Sequence, residues 1–475
     1  MSNTRLEPTE IETHSVNWIP HAERFGKSGD LINIWFVGNV NLTAMATGVV
    51  AFSIGCNLIW TLVAILVGTL FGTFFMAFHS AQGPQLGLPQ LVQSRAQFGY
   101  LGAVFTVWIF ALANYVAYNA SDAILSGPAM HEVFNISAET GFILAALIAS
   151  LIAIYGYSQI HLVNKVLFWP SILALSVMTM GAIMRGHLPV GSFNLRHFAL
   201  AKFMTVFVIV SGFQIGWAPY VSDYSRYLPS SVSVKSSFWA TFLASGLSGV
   251  WVFGLGAVAS APDGKLSPVT AFKSVGDSIF AGFGTILVAI LLVGLLSIMA
   301  INAYGGSLTF ISMADSFRPV KPTRMIRFVS ILAMGVIVWS IAHFVGEDRF
   351  NVFYGNALVF LAYIFTPWTA INLVDYFFVR KGVYVIADIF NKNGIYGRWG
   401  WRGNLAYGFG ILTMIPFFVT TPYVGFCARH LGGVDYSYFV GLPVSGLLYL
   451  MLANGIDLKR EQDLAKKEGS LTGGH

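Results

Sequence analysis

The sequence predicts an all-α integral membrane protein of about twelve transmembrane helices, some longer and some shorter than the roughly 30 Å of hydrocarbon to be crossed. Three observations predict it: a charge-poor composition, apolar blocks of spanning length, and an uneven distribution of Lys and Arg. Of 475 residues, 56% are hydrophobic and 10% are charged, with mean hydropathy +0.69. A soluble domain carries roughly 25% charge. Too few ionic side chains remain here to cover a water-facing surface.

A spanning helix needs about 20 apolar residues. In the first part of the chain the blocks are Leu31–Cys56, Leu58–Phe78, Leu101–Leu125, Gly141–Tyr157, Val166–Ile183 and Phe203–Val221. The second part adds Phe238–Val258, Ile279–Ile311, Phe328–Phe344, Val352–Phe378, Ala406–Val419 and Tyr436–Leu452. With the N-terminus placed in the cytoplasm, most of the 27 Lys and Arg residues fall in cytoplasmic connections and tails, the positive-inside pattern. Both termini are therefore expected inside, with the chain in the cytoplasmic or plasma membrane. The net charge of +6 is then a topology signal and implies no nucleic-acid partner. Residues 1–30 lack an apolar h-region, so the first span is expected to act as an uncleaved anchor. Residues 1–30 and 456–475 read as solvated tails around one polytopic domain, residues 31–455. Cys56 and Cys427 show no metal or disulfide spacing and read as packing residues.

Two blocks are interrupted. The first contains Gly38-Asn39-Val-Asn41-Leu42-Thr43, and the sixth contains Gln214-Ile-Gly216-Trp217-Ala-Pro219. Pro removes a backbone donor, Gly is a weak helix former, and Asn and Thr side chains can bond a broken backbone locally. Interrupted helices in corresponding halves point to the binding site of a secondary transporter. Spans one and six lie five apart, as two five-helix units of opposite topology require.

Acidic residues are expected almost wholly in loops or at span ends, with no Lys or Arg at mid-span. That scarcity argues against charged substrates and against a buried proton-relay carboxylate in the path. What mid-depth offers is amide and aromatic: Phe110 and Asn114 on one face of span three, Gln214 and Trp217 on span six, and Ser297 and Asn302 on span eight. An amide presents donors and an acceptor, and Trp presents a flat apolar face. Together they suit a planar, neutral heterocycle with alternating N–H and C=O edges; a sugar would need more hydroxyl partners. No paired-His metal motif, nucleophile elbow or P-loop occurs, so no enzyme is expected.

Four strings carry a resemblance. They are Trp35-Phe-Val-Gly-Asn39-Val-Asn41-Leu-Thr43-Ala-Met-Ala-Thr-Gly48, and Gly83-Pro-Gln-Leu-Gly87 continuing through Gln90, Ser94 and Arg95 to Gly99. The others are Gly216-Trp217-Ala-Pro-Tyr-Val-Ser-Asp223-Tyr224-Ser225-Arg226-Tyr-Leu-Pro229 and Pro367-Trp368-Thr-Ala-Ile-Asn-Leu-Val-Asp375-Tyr376. With them the chain resembles the nucleobase:cation symporter-1 family, in its purine/cytosine permease branch. The resemblance implies a leucine-transporter-like fold of inverted repeats, about 31–184 and 203–379, plus extra helices at about 405–453. It implies cation-coupled uptake of cytosine, a purine or a related ring such as allantoin or hydantoin, by alternating access. Trp217 would stack on the ring beside Gly216, Asn114 and Asn302 would bond its edge, and Thr43, Gln214 and Phe110 would assist. Some relatives carry Trp where Phe110 stands. Asp223–Arg226 and Asp375-Tyr376 would hold gating or loop structure. A sodium site would draw on Asn39 and Leu42 carbonyls with Val293 and Ser297; proton coupling, as in fungal relatives, is the alternative. Rival readings are an uncoupled channel or facilitator and a symporter for another neutral solute.

Overall fold

A computed structural model describes residues 17–468, apart from 156, 186–187, 265, 319 and 321–322. Most of the predicted N-terminal tail and the last residues of the C-terminal tail thus lie outside the described residues. Among the described residues the chain is helical, with one isolated β-bridge, Val419 to Val424. The first span is α1 (Asp30–Gly38) and α2 (Leu42–Ser53), which meet at a 53° bend. Then come α3 (Leu58–Ser80), α4 (Ile109–Phe134, entered through a π turn at Val104–Trp108), α5 (Ala138–Tyr155) and α6 (Tyr157–Arg185). The sixth span is α7 (Leu200–Gly216) and the short α8 (Val221–Ser225), separated by turn residues 217–220. After it follow α9 (Val234–Ser260), α10 (Pro268–Ile279), α11 (Phe283–Phe317), α12 (Arg324–Val345) and α13 (Phe350–Val374). The chain closes with α14 (Trp401–Met414), α15 (Ser437–Ala453) and α16 (Leu458–Glu468).

Among the described residues, eight helices are long and apolar enough to cross a membrane, or ten if each bent pair is one span. α5 is apolar but shorter and α14 is shorter still, so length and composition give fewer than the dozen read from the sequence. The third span also runs past its predicted end at Leu125 to Phe134, where Asn135 closes it in a left-handed conformation. Short polar side chains start several helices by accepting a free N–H: Asn57 caps α3 from Ile59, Ser233 caps α9 from Ser236, and Thr323 caps α12 from Ile326. Leu147, Leu151, Trp169, Leu173, Leu332 and Val336 are exposed. They lie on α5, α6 and α12, an outer face suited to lipid.

Glycines set the inner contacts. A Cβ on Gly48 of α2 would lie 1.8 Å from the Phe253 carbonyl of α9, and one on Gly256 would lie 1.9 Å from the Met45 carbonyl. On α3, a Cβ at Gly68 or Gly72 would come within 2.7 Å of Phe207 or 2.5 Å of the Ser211 carbonyl on α7. Small residues that let backbones approach are the usual basis of helix packing in lipid. The first, second, sixth and seventh spans therefore form one close-packed group, while α4 packs on α11 and α5.

Both described chain ends lie at the same end of the bundle. Arg24 donates to the Pro84 carbonyl at 2.8 Å and Arg226 to the Asn17 carbonyl at 3.1 Å. Gln97 reaches Asp375 at 2.5 Å, and Arg380 binds Glu461 of α16 at 2.9 Å. Arg380 also pairs with Asp375, and Tyr449 and Tyr384 donate to that carboxylate at 2.8 and 2.9 Å. Asp375 thus ties the end of the tenth span to α15 and, through Arg380, to α16, in keeping with the gating or loop role that the resemblance implies. Removing one member of a buried ion pair costs about 3–5 kcal/mol, because the other charge stays buried and unmatched. Arg380→Ala is expected to lower the thermal unfolding midpoint of the detergent-purified protein by several degrees; an unchanged midpoint would refute this. Gly48→Leu is expected to abolish the monodisperse, extractable protein in size-exclusion chromatography, because main chain cannot yield as a side chain can.

Candidate functional site

The two breaks meet near the middle of the bundle. In lipid an interrupted helix survives only if its freed backbone groups find partners. At the first break, Asn41 accepts from Ala44 N–H at 2.8 Å and donates to the Gly38 carbonyl at 2.9 Å. Asn39 turns its amide to α9, donating to the Ser245 carbonyl at 2.8 Å and to Ser248 Oγ at 3.1 Å. At the second break, α4 supplies the donors: Asn114 Nδ2 bonds the Gly216 carbonyl at 2.8 Å and Tyr118 OH bonds the Phe213 carbonyl at 3.2 Å. In return, Tyr220 of the turn donates to the Ala111 carbonyl at 2.6 Å.

Around this point the aromatic rings converge. Trp217 lies 5.8 Å from Trp35 in a T-shaped pair and 6.4 Å from Tyr118 at an interplanar angle of 28°. All three are buried, as are Asn114, Asn302 and Thr43. The predicted residues Trp217, Gly216 and Asn114 are thus brought together. Asn114 Oδ1 is buried with no hydrogen-bond partner. It is an acceptor at the broken backbone, beside a flat ring.

Asn302 and Thr43 meet on a group that the sequence reading placed elsewhere. Both donate to Asp122 of α4: Thr43 Oγ1 at 2.5 Å to one carboxylate oxygen, Asn302 Nδ2 at 3.3 Å to the other. Asp122 is fully buried. It lies twelve residues before the end of α4, about 18 Å along the axis at 1.5 Å per residue. The expectation of no mid-membrane carboxylate is therefore wrong. The error came from ending the third span at Leu125, which put Asp122 at its edge. The signal that could have found it is the unbroken run Ala120-Ser-Asp-Ala-Ile-Leu-Ser-Gly127, with no helix stop before Asn135.

Other predicted residues sit differently. Gln214 is occupied by α9, accepting from Ser245 Oγ at 2.9 Å and donating to its carbonyl at 3.4 Å. Phe110 is half-buried, with a ring contact to Phe360 at 6.4 Å. Leu42 and Ser297 are buried at the first break and on α11, whereas the Val293 side chain is 41% exposed on the outer side of α11. α11 does reach the break: a Cβ on Gly294 would lie 2.4 Å from the Val40 carbonyl.

The strings that carried the resemblance converge at the end of the bundle bearing both chain ends. His79 stacks on Trp368 at 4.5 Å, and Gln90 contacts His79 at 3.1 Å. Ser222 donates to Gln90 at 2.5 Å, Trp368 donates to Ser94 at 2.9 Å, and Asp223 accepts from Gln90 N–H at 2.9 Å. Asp223 therefore ties two connections together at the foot of the sixth span.

Known proteins supply the family and the fold. A family model described as permease for cytosine/purines, uracil, thiamine, allantoin matches residues 18–441. YxlA of Bacillus subtilis, which carries the provisional name of purine-cytosine permease, is 35% identical over 97% of this chain and 100% of its own. The purine-cytosine permease fcyB of Emericella nidulans is 26% identical over 93% of this chain and 88% of its own. The nucleobase-cation-symport-1 family transporter Mhp1, solved in a closed conformation with bromovinylhydantoin bound, shares the fold. Its TM-score is 0.70 at 18% identity, covering 96% of this chain and 99% of that one. The chain belongs to the family of permeases for cytosine/purines, uracil, thiamine and allantoin, and is a multi-pass membrane transporter and not an enzyme.

Proposed function

We propose that the protein is a secondary active transporter that takes up a neutral planar heterocycle, a purine, a pyrimidine or a hydantoin-like ring, by alternating access coupled to a cation. The observation that carries this reading is the buried, unpartnered Asn114 Oδ1 at the Gly216 break, beside Trp217 and Tyr118. A ring N–H would supply the partner that this oxygen lacks, since a buried acceptor left unmet costs about 1–3 kcal/mol. The ring would stack on Trp217, and Asn302, now held by Asp122, would turn its amide to the ring's second edge. The named substrates and ligands of the relatives, cytosine and purines for the permeases and a hydantoin for Mhp1, are all flat rings of this kind.

Two five-helix units, about 31–184 and 203–379, would be related by inversion, which places α1/α2 and α7/α8 as counterparts. Both termini would face the cytoplasm from the cytoplasmic or plasma membrane. For sodium as the coupling ion, the carbonyls of Asn39 and Leu42 would combine with the Ser297 hydroxyl and the main chain at Val293. Cation and substrate would cooperate because both bind the same occluded state more tightly than the open ones.

Uptake of radiolabelled cytosine, adenine, hypoxanthine, uracil and allantoin into a transport-deficient strain tests the reading, with accumulation against a gradient expected for at least one. No accumulation and no mutual competition would overturn it; equilibration without accumulation would favour a facilitator. Stacking of a base on an aromatic side chain is worth about 1–3 kcal/mol. Trp217→Ala is therefore expected to weaken substrate binding roughly 5- to 150-fold at unchanged membrane expression. Asn114→Ala is expected to impair uptake comparably, as it removes both the ring's partner and the donor to Gly216. Wild-type uptake in both variants would sink the site assignment.

A further inference from the structure

We propose that Asp122 carries the proton whose entry drives uptake, and that protonation releases Asn302 to the substrate; this rests on the transporter reading above and names its coupling ion. Asp122 is the carboxylate that joins the broken first span, α4 and α11. One oxygen takes the Thr43 hydroxyl at the start of α2, and the other takes the Asn302 amide. Thr47, one turn on, bonds the Thr43 carbonyl at 3.0 Å and the Tyr354 hydroxyl of α13 at 3.0 Å. A change at Asp122 is therefore felt at the break and at an amide proposed to read the ring.

Among the described residues no cationic side chain bonds or pairs with it. Among the described residues the partners of Asp122 are two neutral donors. The ionisable groups near enough to feel its charge are two neutral phenols, Tyr118 on its own helix and Tyr354 on α13. α2 and α11 face it with Thr43 and Asn302, neither of which titrates. The other buried acids are accounted for. Asp375 and Glu461 share Arg380, while Asp435 accepts the Ser437 N–H at the start of α15 and the Tyr363 hydroxyl. An unpaired carboxylate in such a place costs several kcal/mol, and a proton is the smallest counter-charge that removes the cost. A metal cation would need several oxygen ligands, whereas the Asn302 atom that meets the carboxylate is a donor nitrogen.

The coupling follows from hydrogen-bond arithmetic. An ionised carboxylate accepts only, and holds the Asn302 amide by its N–H. Once a proton from water binds one oxygen, the pull on Asn302 weakens and the amide is free to donate to a ring carbonyl or ring nitrogen. Proton and substrate then each favour the state that the other favours, and linkage makes that cooperation reciprocal. Asp122 acts here through Asn302; it is a positioning and proton-holding residue.

The test uses the full chain in sodium-free proteoliposomes with tritiated cytosine. With an alkaline interior, wild type is expected to accumulate cytosine at least tenfold over a no-gradient control. An imposed cytosine gradient should acidify the interior as read by trapped pyranine. Asp122→Asn keeps the shape but cannot cycle a proton. It is expected to lose pH-driven accumulation at least tenfold and to lose proton flux, while still exchanging external for internal cytosine. Proton-driven accumulation by Asp122→Asn at the wild-type level would overturn the proposal. So would wild-type accumulation on a sodium gradient alone without proton movement, a measurement that does not depend on the variant folding. If wild type neither exchanges nor accumulates cytosine or any ring of the uptake panel, the transporter reading has failed rather than the assignment of Asp122.

Discussion

An interrupted helix inside hydrocarbon must find partners for every backbone group it frees, and that requirement governs this molecule. The first span meets it with its own residues, Asn41 closing the gap while Asn39 anchors the segment to α9. The sixth span meets it through a neighbour, because Asn114 and Tyr118 of α4 supply the donors that its main chain lacks. The groups that keep the breaks stable are also the polar groups nearest the proposed pocket. Stability and recognition therefore share atoms. A ligand here competes with, or completes, bonds that already hold the fold.

Much of this was legible in the sequence. Apolar length announced the spans, and the Gly, Asn and Pro clusters announced both breaks within a residue or two. Trp217, Gly216 and Asn114 come together as the pattern implied. What stayed hidden was rotation. These helices are apolar on nearly every side, so no amphipathic stripe tells which face turns inward. Hence the pattern that proposes Phe110 and Gln214 for the site does not reveal that the Phe110 ring meets Phe360 or that Ser245 bonds Gln214. Asp122 was hidden for a different reason: helix ends are hard to place, and a nine-residue error moved a deeply buried carboxylate to the membrane surface.

The strings that made the family recognisable mostly do not line the pocket. His79, Gln90, Ser94, Ser222, Asp223 and Trp368 interlock near the chain ends, where three connections come together. A buried, interlocked polar cluster of this kind tolerates few substitutions, since removing one member strands its partners. A recognisable string thus marks where the chain has least freedom. The pocket, whose amide and aromatic residues can be exchanged for others that read a different ring, is free to carry a weaker signature.

The glycine contacts between α2 and α9 and between α3 and α7 bear on movement. Where two main chains touch, no layer of flexible side chains lies between them to shear. Close main-chain contact of this kind favours motion of the four spans as a single piece, a coupling with little backlash. In the alternating-access reading, a tilt of that piece would carry Asn41 and Trp217 together, and the two breaks would turn as one. Asp122 sits where this block meets α4 and α11, with Thr43 of the block on one carboxylate oxygen and Asn302 of α11 on the other.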